Sequence, residues 1–125
     1  MTDLQRTILE QRLLRDHRRA LAILQRYGAE ARAALSGEAS GASRSPSHMA
    51  DQASDMMERE LSLFFASKER RTLDEIEGAL QRLYEAPDQF GRCRRCDSAI
   101  PFARLESVPQ ATTCMECQID VELVA

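Results

Sequence analysis

The sequence has few of the large aromatic side chains that anchor most globular cores. It contains no Trp, two Tyr and four Phe in 125 residues, so aromatics make up only 5% of the chain. Leu, Ala, Arg and Glu are plentiful instead, a bias that favours long helices over the packed core of an α/β enzyme. A chain of this length suits one domain and leaves little room for two independent cores.

Long apolar runs are also missing. No segment approaches the roughly 18 to 20 consecutive apolar residues that cross a membrane. Residues 1–6 (MTDLQR) lack the apolar centre of a secretion signal. We therefore expect a cytoplasmic protein without membrane association, in which cysteine thiols stay reduced.

The chain as a whole has no excess of basic residues, and its net charge is −3. Residues 1–35 carry seven Arg against four acids, whereas residues 50–90 carry five basic residues against ten acids. Binding to a phosphate backbone requires clustered Lys and Arg. The acidic balance therefore argues against a general nucleic-acid binder.

Apolar residues at helical spacing predict two long helices, over residues 3–35 and about 47–85. In the first helix, two series with a spacing of seven predict a coiled-coil seam: Leu14, Leu21, Gly28 and Leu35, and His17, Leu24 and Ala31. In the second helix the predicted apolar stripe comprises Met49, Ala53, Met57, Leu61, Phe64, Leu73, Ile76, Leu80 and Leu83. Pro87 is expected to end this helix.

A run of small and polar residues separates the two helices. Residues 36–49 are rich in Ser, Gly and Ala and predict a loop. Ser45 as N-cap and Pro46 at the first helical position would start the second helix. Since neither helix can bury its apolar stripe alone, we expect an antiparallel coiled-coil hairpin with this loop at its tip.

Four cysteines form the strongest chemical motif. Cys93, Cys96, Cys114 and Cys117 follow the spacing C-x2-C-x17-C-x2-C, which is typical of a tetrahedral zinc site. Four thiolate ligands leave no position for a reactive water, so one structural Zn²⁺ is expected. A redox-active dithiol pair and a four-cysteine iron–sulfur cluster are the alternatives.

Two acids stand near the start of the second helix. Asp51 and Asp55 are four residues apart, with the small residue Ala53 between them. An acid in the first turn of a helix stabilises its positive end, which would account for Asp51 alone. Alternatively, carboxylates at the tip of a hairpin could approach a metal ion or basic residues inside a partner.

These motifs resemble the bacterial DksA/TraR family of C4-type zinc-finger proteins. The resemblance is carried by Phe90-Gly91-x-Cys93-x-x-Cys96, Ile100-Pro101-x-x-Arg104-Leu105 with Pro109, Cys114-x-x-Cys117-Gln118, His48-x-Ala50-Asp51-x-Ala53-Ser54-Asp55 and Glu58-Arg59-Glu60. It implies a mainly α fold in which residues 1–89 form the coiled-coil hairpin and residues 90–125 the zinc finger with a short C-terminal helix. Family members usually have Gly directly after the second cysteine, where this chain has Asp97, a residue that tolerates left-handed backbone better than most.

The same resemblance implies a function without catalysis. Such proteins bind RNA polymerase directly and insert the hairpin through its secondary channel, which here would bring Asp51, Ala53 and Asp55 to the active centre. They modulate initiation without reading DNA sequence. The basic residues of the family that would contact the alarmone ppGpp at the polymerase interface have no match in this sequence. Whether ppGpp is a partner is therefore left open. The alternative hypotheses are a zinc-stapled coiled-coil adaptor for another protein and a redox enzyme that uses its cysteines.

Overall fold

The computed structural model of the chain describes residues 1–36 and 49–124, and this part is mainly helical. Two long helices, α1 (Asp3–Ser36) and α2 (Met49–Glu85), are followed by two short ones, α3 (Phe102–Ser107) and α4 (Met115–Val124). No β-strand occurs among the described residues. This architecture confirms the predicted fold class. Most of the predicted loop, including Ser45 and Pro46, lies outside the described residues.

The ends of the long helices follow from local chemistry. Thr2 and Gln5 form a reciprocal cap at the start of α1, because the Gln5 backbone N–H donates to Thr2 Oγ1 at 3.1 Å and the Thr2 backbone nitrogen donates to Gln5 Oε1 at 3.0 Å. After Glu85, the Ala86 amide still donates to the Arg82 carbonyl at 2.8 Å. Pro87 cannot donate a hydrogen bond and ends the helix there, as predicted.

The first of two compact units combines Met1–His17 with Asp74–Ala125. Within it α1 and α2 run antiparallel, because Arg6 lies 3.8 Å from Asp88 whereas His17 lies 3.1 Å from Glu77. Its buried apolar side chains come from both helices and from the cysteine-containing segment. They are Leu9, Leu13, Ile76, Ala79, Leu83, Phe90, Cys93, Ile100, Leu105 and Pro109.

The second unit, Arg18–Leu73, contains the remaining helical segments. Ala20 and Leu73 are buried here, as is the polar Ser62. Tyr27 of α1 packs against Phe65 of α2 with ring centroids 5.3 Å apart. Among the described side chains of this unit, few large apolar ones are buried, in contrast to the first unit.

The buried face of α1 differs from the first predicted series. Leu13 and Ala20 are buried, whereas Leu14 is 36% exposed. One residue corresponds to a rotation of about 100° around a helix, so Leu14 lies beside the seam. Leu21 and Gly28 of the same series are half-buried, as are His17 and Leu24 of the second series. The predicted seam positions Ala31 and Leu35 lie outside the residues whose side chains are described.

The predicted stripe of α2 is correct in its second half and wrong in its first. Leu73, Ile76 and Leu83 are buried, but Met57 and Phe64 are largely exposed. The inward-facing positions of the first half are instead mostly small or polar, with half-buried Leu63 as the apolar exception. The others are Asp55, Arg59, Ser62, Ala66 and Glu69, and they continue the heptad spacing of Leu73 and Ile76. The side chain of Met49 lies outside the described part of the chain.

The short C-terminal helix implied by the resemblance is α4, and its apolar side chains are largely exposed. It begins at Met115, and Ile119, Val121 and Leu123 are 49%, 42% and 80% exposed. Within residues 1–36 and 49–124, no helix combines the length and apolar character needed to span a membrane.

Candidate metal centre and tip residues

A tight turn carries the first cysteine pair. Gly91, with φ of +82°, begins it, and the Ile100 amide donates to the Gly91 carbonyl at 2.7 Å. The Cys93 amide donates to the Ser98 carbonyl, and the Asp97 amide donates back to the Cys93 carbonyl, both at 2.9 Å. These bonds fold the chain around the space between Cys93 and Cys96.

Asp97 occupies the position where the family usually has Gly. Its φ is +62°, in the left-handed region that Gly adopts most easily and Asp tolerates better than most residues. The backbone of the turn is therefore preserved without glycine. Asp97 also lies 3.5 Å from the Arg92 guanidinium in an exposed ion pair.

The second cysteine pair is positioned by α4 and by two longer-range contacts. The Gln118 amide donates to the Cys114 carbonyl at 2.9 Å in the first turn of α4. The Arg94 amide donates to the Thr112 carbonyl at 2.8 Å, which joins the two cysteine turns. Arg104 of α3 donates from Nε to the Thr113 carbonyl at 3.1 Å, directly before Cys114.

The four sulfur atoms converge. All four Sγ atoms lie within 4.8 Å of one another, and Cys96 Sγ is 3.8 Å from Cys114 Sγ. A tetrahedral zinc site with Zn–S bonds of about 2.3 Å requires sulfurs about 3.8 Å apart. The cysteines are free thiols rather than disulfides. Four soft sulfur donors at this spacing fit Zn²⁺, and the structure brings together every cysteine predicted from the sequence.

The four thiols of the cluster differ strongly in acidity. Hydrogen bonding from the Cys96 backbone lowers the pKa of Cys93 to about 6, although burial opposes this shift. Hydrogen bonding to Cys114, followed by burial, raises the pKa of Cys117 to about 12. The hydroxyl of Ser98, 2.7 Å from Cys96 Sγ, is the main reason that the pKa of Cys96 is lowered. The surroundings of the cluster therefore favour the thiolate of Cys93 and disfavour that of Cys117.

The predicted tip residues all belong to the second compact unit. Asp51 lies in the first turn of α2, and both Asp51 and Ala53 are exposed. Asp55 is half-buried at an inward-facing position of the helix. Asp51 is therefore the more accessible of the two carboxylates.

Sequence reasoning missed the supporting roles of Arg104 and Ser98. Arg104 was noted only as part of the motif Ile100-Pro101-x-x-Arg104-Leu105, and its hydrogen bond to the Thr113 carbonyl appears only in the fold. Ser98 lies two residues after Cys96. This position in the sequence could have predicted the contact, because Ser often hydrogen-bonds to nearby groups in turns.

The fold and the sulfur cluster define a four-cysteine zinc-finger protein with two long helices. Residues 88–123 match the family described as the prokaryotic dksA/traR C4-type zinc finger. The structure of transcription factor DksA2 from Pseudomonas aeruginosa is similar over 98% of this chain and 86% of that chain, with a TM-score of 0.73 and 30% identity. The chain belongs to the DksA/TraR family.

Two curated relatives show how far the similarity extends. An RNA polymerase-binding transcription factor DksA from Haemophilus influenzae is 34% identical over 92 residues, which is 66% of this chain and 62% of the relative. General stress protein 16O from Bacillus subtilis is 35% identical over 75 residues, which is 60% of this chain and 45% of the relative. The matched part thus covers less than two thirds of either relative.

Proposed function

We propose that this protein is a bacterial, cytoplasmic transcription regulator that binds RNA polymerase directly and modulates initiation through the secondary channel. The observation that carries the proposal is the exposed Asp51 in the first turn of α2, in a chain whose curated relatives include RNA polymerase-binding factors. Asp51, Ala53 and Asp55 would form the part that acts at the polymerase active centre.

The metal has a structural role in this proposal. Cys93, Cys96, Cys114 and Cys117 would hold one Zn²⁺, whose binding contributes free energy to the folding of the cysteine segment. Because four thiolates complete the coordination, these residues position the backbone and perform no catalysis. We therefore propose a regulator that is not an enzyme.

The proposed tip role predicts a specific defect in Asp51→Asn. The zinc-loaded variant should still bind core polymerase in a pull-down, because the substitution removes one charge and keeps the side-chain shape. Its effect on initiation in transcription in vitro should fall by about tenfold or more, since the amide no longer carries the charge proposed to act at the active centre.

The matched control is Asp3→Asn, because Asp3 is the acid in the first turn of α1. Both substitutions remove a favourable interaction with a helix end, worth about 0.3 to 1 kcal/mol each. Only Asp51→Asn should change transcription. If both variants regulate like the unmodified protein, Asp51 acts merely as a helix-stabilising acid. If the unmodified protein does not bind polymerase, an adaptor for another protein becomes the better hypothesis.

Adding ppGpp to the same assay tests whether it acts as a partner at the polymerase interface. A ppGpp-dependent increase in the regulatory effect would assign this role. The same effect with and without ppGpp would show that the protein acts independently of it.

A further inference from the structure

The first half of α2 exposes three large apolar side chains on one face. Met57, Leu61 and Phe64 are 64%, 52% and 58% exposed. Their spacing of four and three residues places them within about 60° of one another around the helix. We refer to these three residues as the apolar stripe. Contiguous exposed apolar surface of this kind marks interaction sites in soluble proteins.

Among the described side chains of its unit, the apolar stripe is mainly exposed, and Phe64 meets the ring of the neighbouring Phe65 with centroids 5.6 Å apart. The inward-facing positions of this part of α2 include Arg59, Ser62 and Ala66. Phe65, next to the stripe, is partly covered by its contact with Tyr27. A different side of the helix is therefore used for packing, and the stripe is available to another molecule.

The area of the stripe distinguishes between possible partners. A fully exposed side chain of this size presents roughly 200 Å², so the three together offer on the order of 350 Å². A stable pair of proteins needs about 800 Å² from each partner. The stripe alone is too small for a dimer of this chain, and it fits better as one part of a larger interface.

The stripe is continuous with the proposed tip. Ala53 lies on the same helical face, one turn before Met57, and Asp51 lies about 20 Å along the helix from Phe64 at about 1.5 Å per residue. Four acids and one arginine accompany the stripe between residues 51 and 65: Asp51, Asp55, Glu58, Glu60 and Arg59. A partner that receives the tip and covers the stripe would therefore offer an apolar groove with a basic rim.

We propose that the apolar stripe is a second contact with RNA polymerase, which supplies binding affinity while the tip acids alter initiation. This inference rests on the proposed function, since the same partner must receive the tip. A few side chains that become fully buried on association carry most of the binding energy of an interface, and burial of exposed apolar area is itself favourable. The stripe therefore determines how tightly the protein binds polymerase, and the tip acids on the same helix determine its effect on initiation.

The test measures the dissociation constant of the zinc-loaded chain for core polymerase and its maximal effect on initiation. Phe64→Gln and Leu61→Gln should each raise the dissociation constant by about tenfold. At saturating concentration each variant should reach the full effect of the unmodified protein. Leu4→Gln is the matched control, because Leu4 is 70% exposed on α1 in the other unit, and it should bind normally.

Three results would overturn the inference. One is an unchanged dissociation constant for both stripe variants in a protein that binds polymerase. A second is a dimer in sedimentation analysis that Phe64→Gln converts to monomer, which would assign the stripe to a second copy of the chain. The third is failure of the unmodified chain to bind polymerase, which would overturn the proposed function as well. Circular dichroism of each variant verifies that these exposed substitutions leave the helices folded.

Discussion

Two residues with positive φ shape the first cysteine turn, and they respond differently to substitution. Gly91 has φ of +82°, and a Cβ atom there would lie 2.7 Å from Met1 Cε and 3.3 Å from Leu105 Cδ1. Asp97, at +62°, already carries a side chain and points it into exposed surroundings. The requirement for glycine is therefore stricter at Gly91 than at Asp97.

Gly91→Ala should destabilise the zinc-loaded protein by about 1 to 2 kcal/mol, because alanine is strained at this φ. The control, Gly28→Ala, should instead stabilise it by roughly 0.5 to 1 kcal/mol, because Gly28 is inside α1 and a Cβ there meets no atom within 4 Å. Urea unfolding of both variants checks the pair. Equal stabilities for the two alanine variants would contradict the backbone requirement at Gly91.

At the residue scale, the sequence identified the cysteine cluster but not its supporting contacts. The spacing of Cys93 to Cys96 and of Cys114 to Cys117 is local, so that each pair is already arranged by one turn of chain. The hydrogen bond from Arg104 to the Thr113 carbonyl joins two segments through the tertiary fold. Neither the apolar periodicity of the sequence nor the spacing of its cysteines predicts such a contact.

At the scale of elements, the helix ends were more predictable than the buried faces. Pro87 ends α2 at Glu85 and α1 begins at Asp3, both at the predicted residues. The other two ends of these helices adjoin residues outside the described part of the chain. Apolar periodicity does not reveal whether a stripe packs inside the chain or against another molecule. Met57, Leu61 and Phe64 have helical spacing and are nevertheless exposed.

The cysteine segment should bind zinc in a pH-dependent way. Zinc binding requires thiolates, so any thiol still protonated must release its proton. Cys117, with its pKa raised to about 12, is protonated at neutral pH, whereas Cys93, with its pKa lowered to about 6, is largely ionised. The affinity should therefore fall as the pH falls, and more steeply below about pH 6, where Cys93 also becomes protonated.

Competition with a chromophoric chelator between pH 5.5 and 8 measures this dependence. Each proton released on binding lowers the affinity tenfold for every unit that the pH falls. The chelator's own titration provides the correction, and a zinc-binding peptide with known proton release provides the control. An affinity independent of pH over this range would contradict thiolate coordination by the cluster.

At the scale of the whole molecule, the described residues form a first unit with many buried apolar side chains and a second unit in which few are fully buried. The first unit contains the sulfur cluster and most of the buried apolar side chains. The second contains Asp51 and the apolar stripe, which are exposed. We interpret the first as the stable scaffold and the second as the part that meets the partner. The scarcity of aromatic residues agrees with a chain built on two long helices. Two paired helices bury side chains along a narrow seam, whereas a globular domain uses large side chains to fill a core.

The most direct measurement of the central claim is a competition for core RNA polymerase between the zinc-loaded protein and a known secondary-channel factor. We predict that each displaces the other completely, and that Asp51→Asn competes as well as the unmodified protein while losing its effect on initiation. Simultaneous binding of both factors to one polymerase would contradict the secondary-channel site.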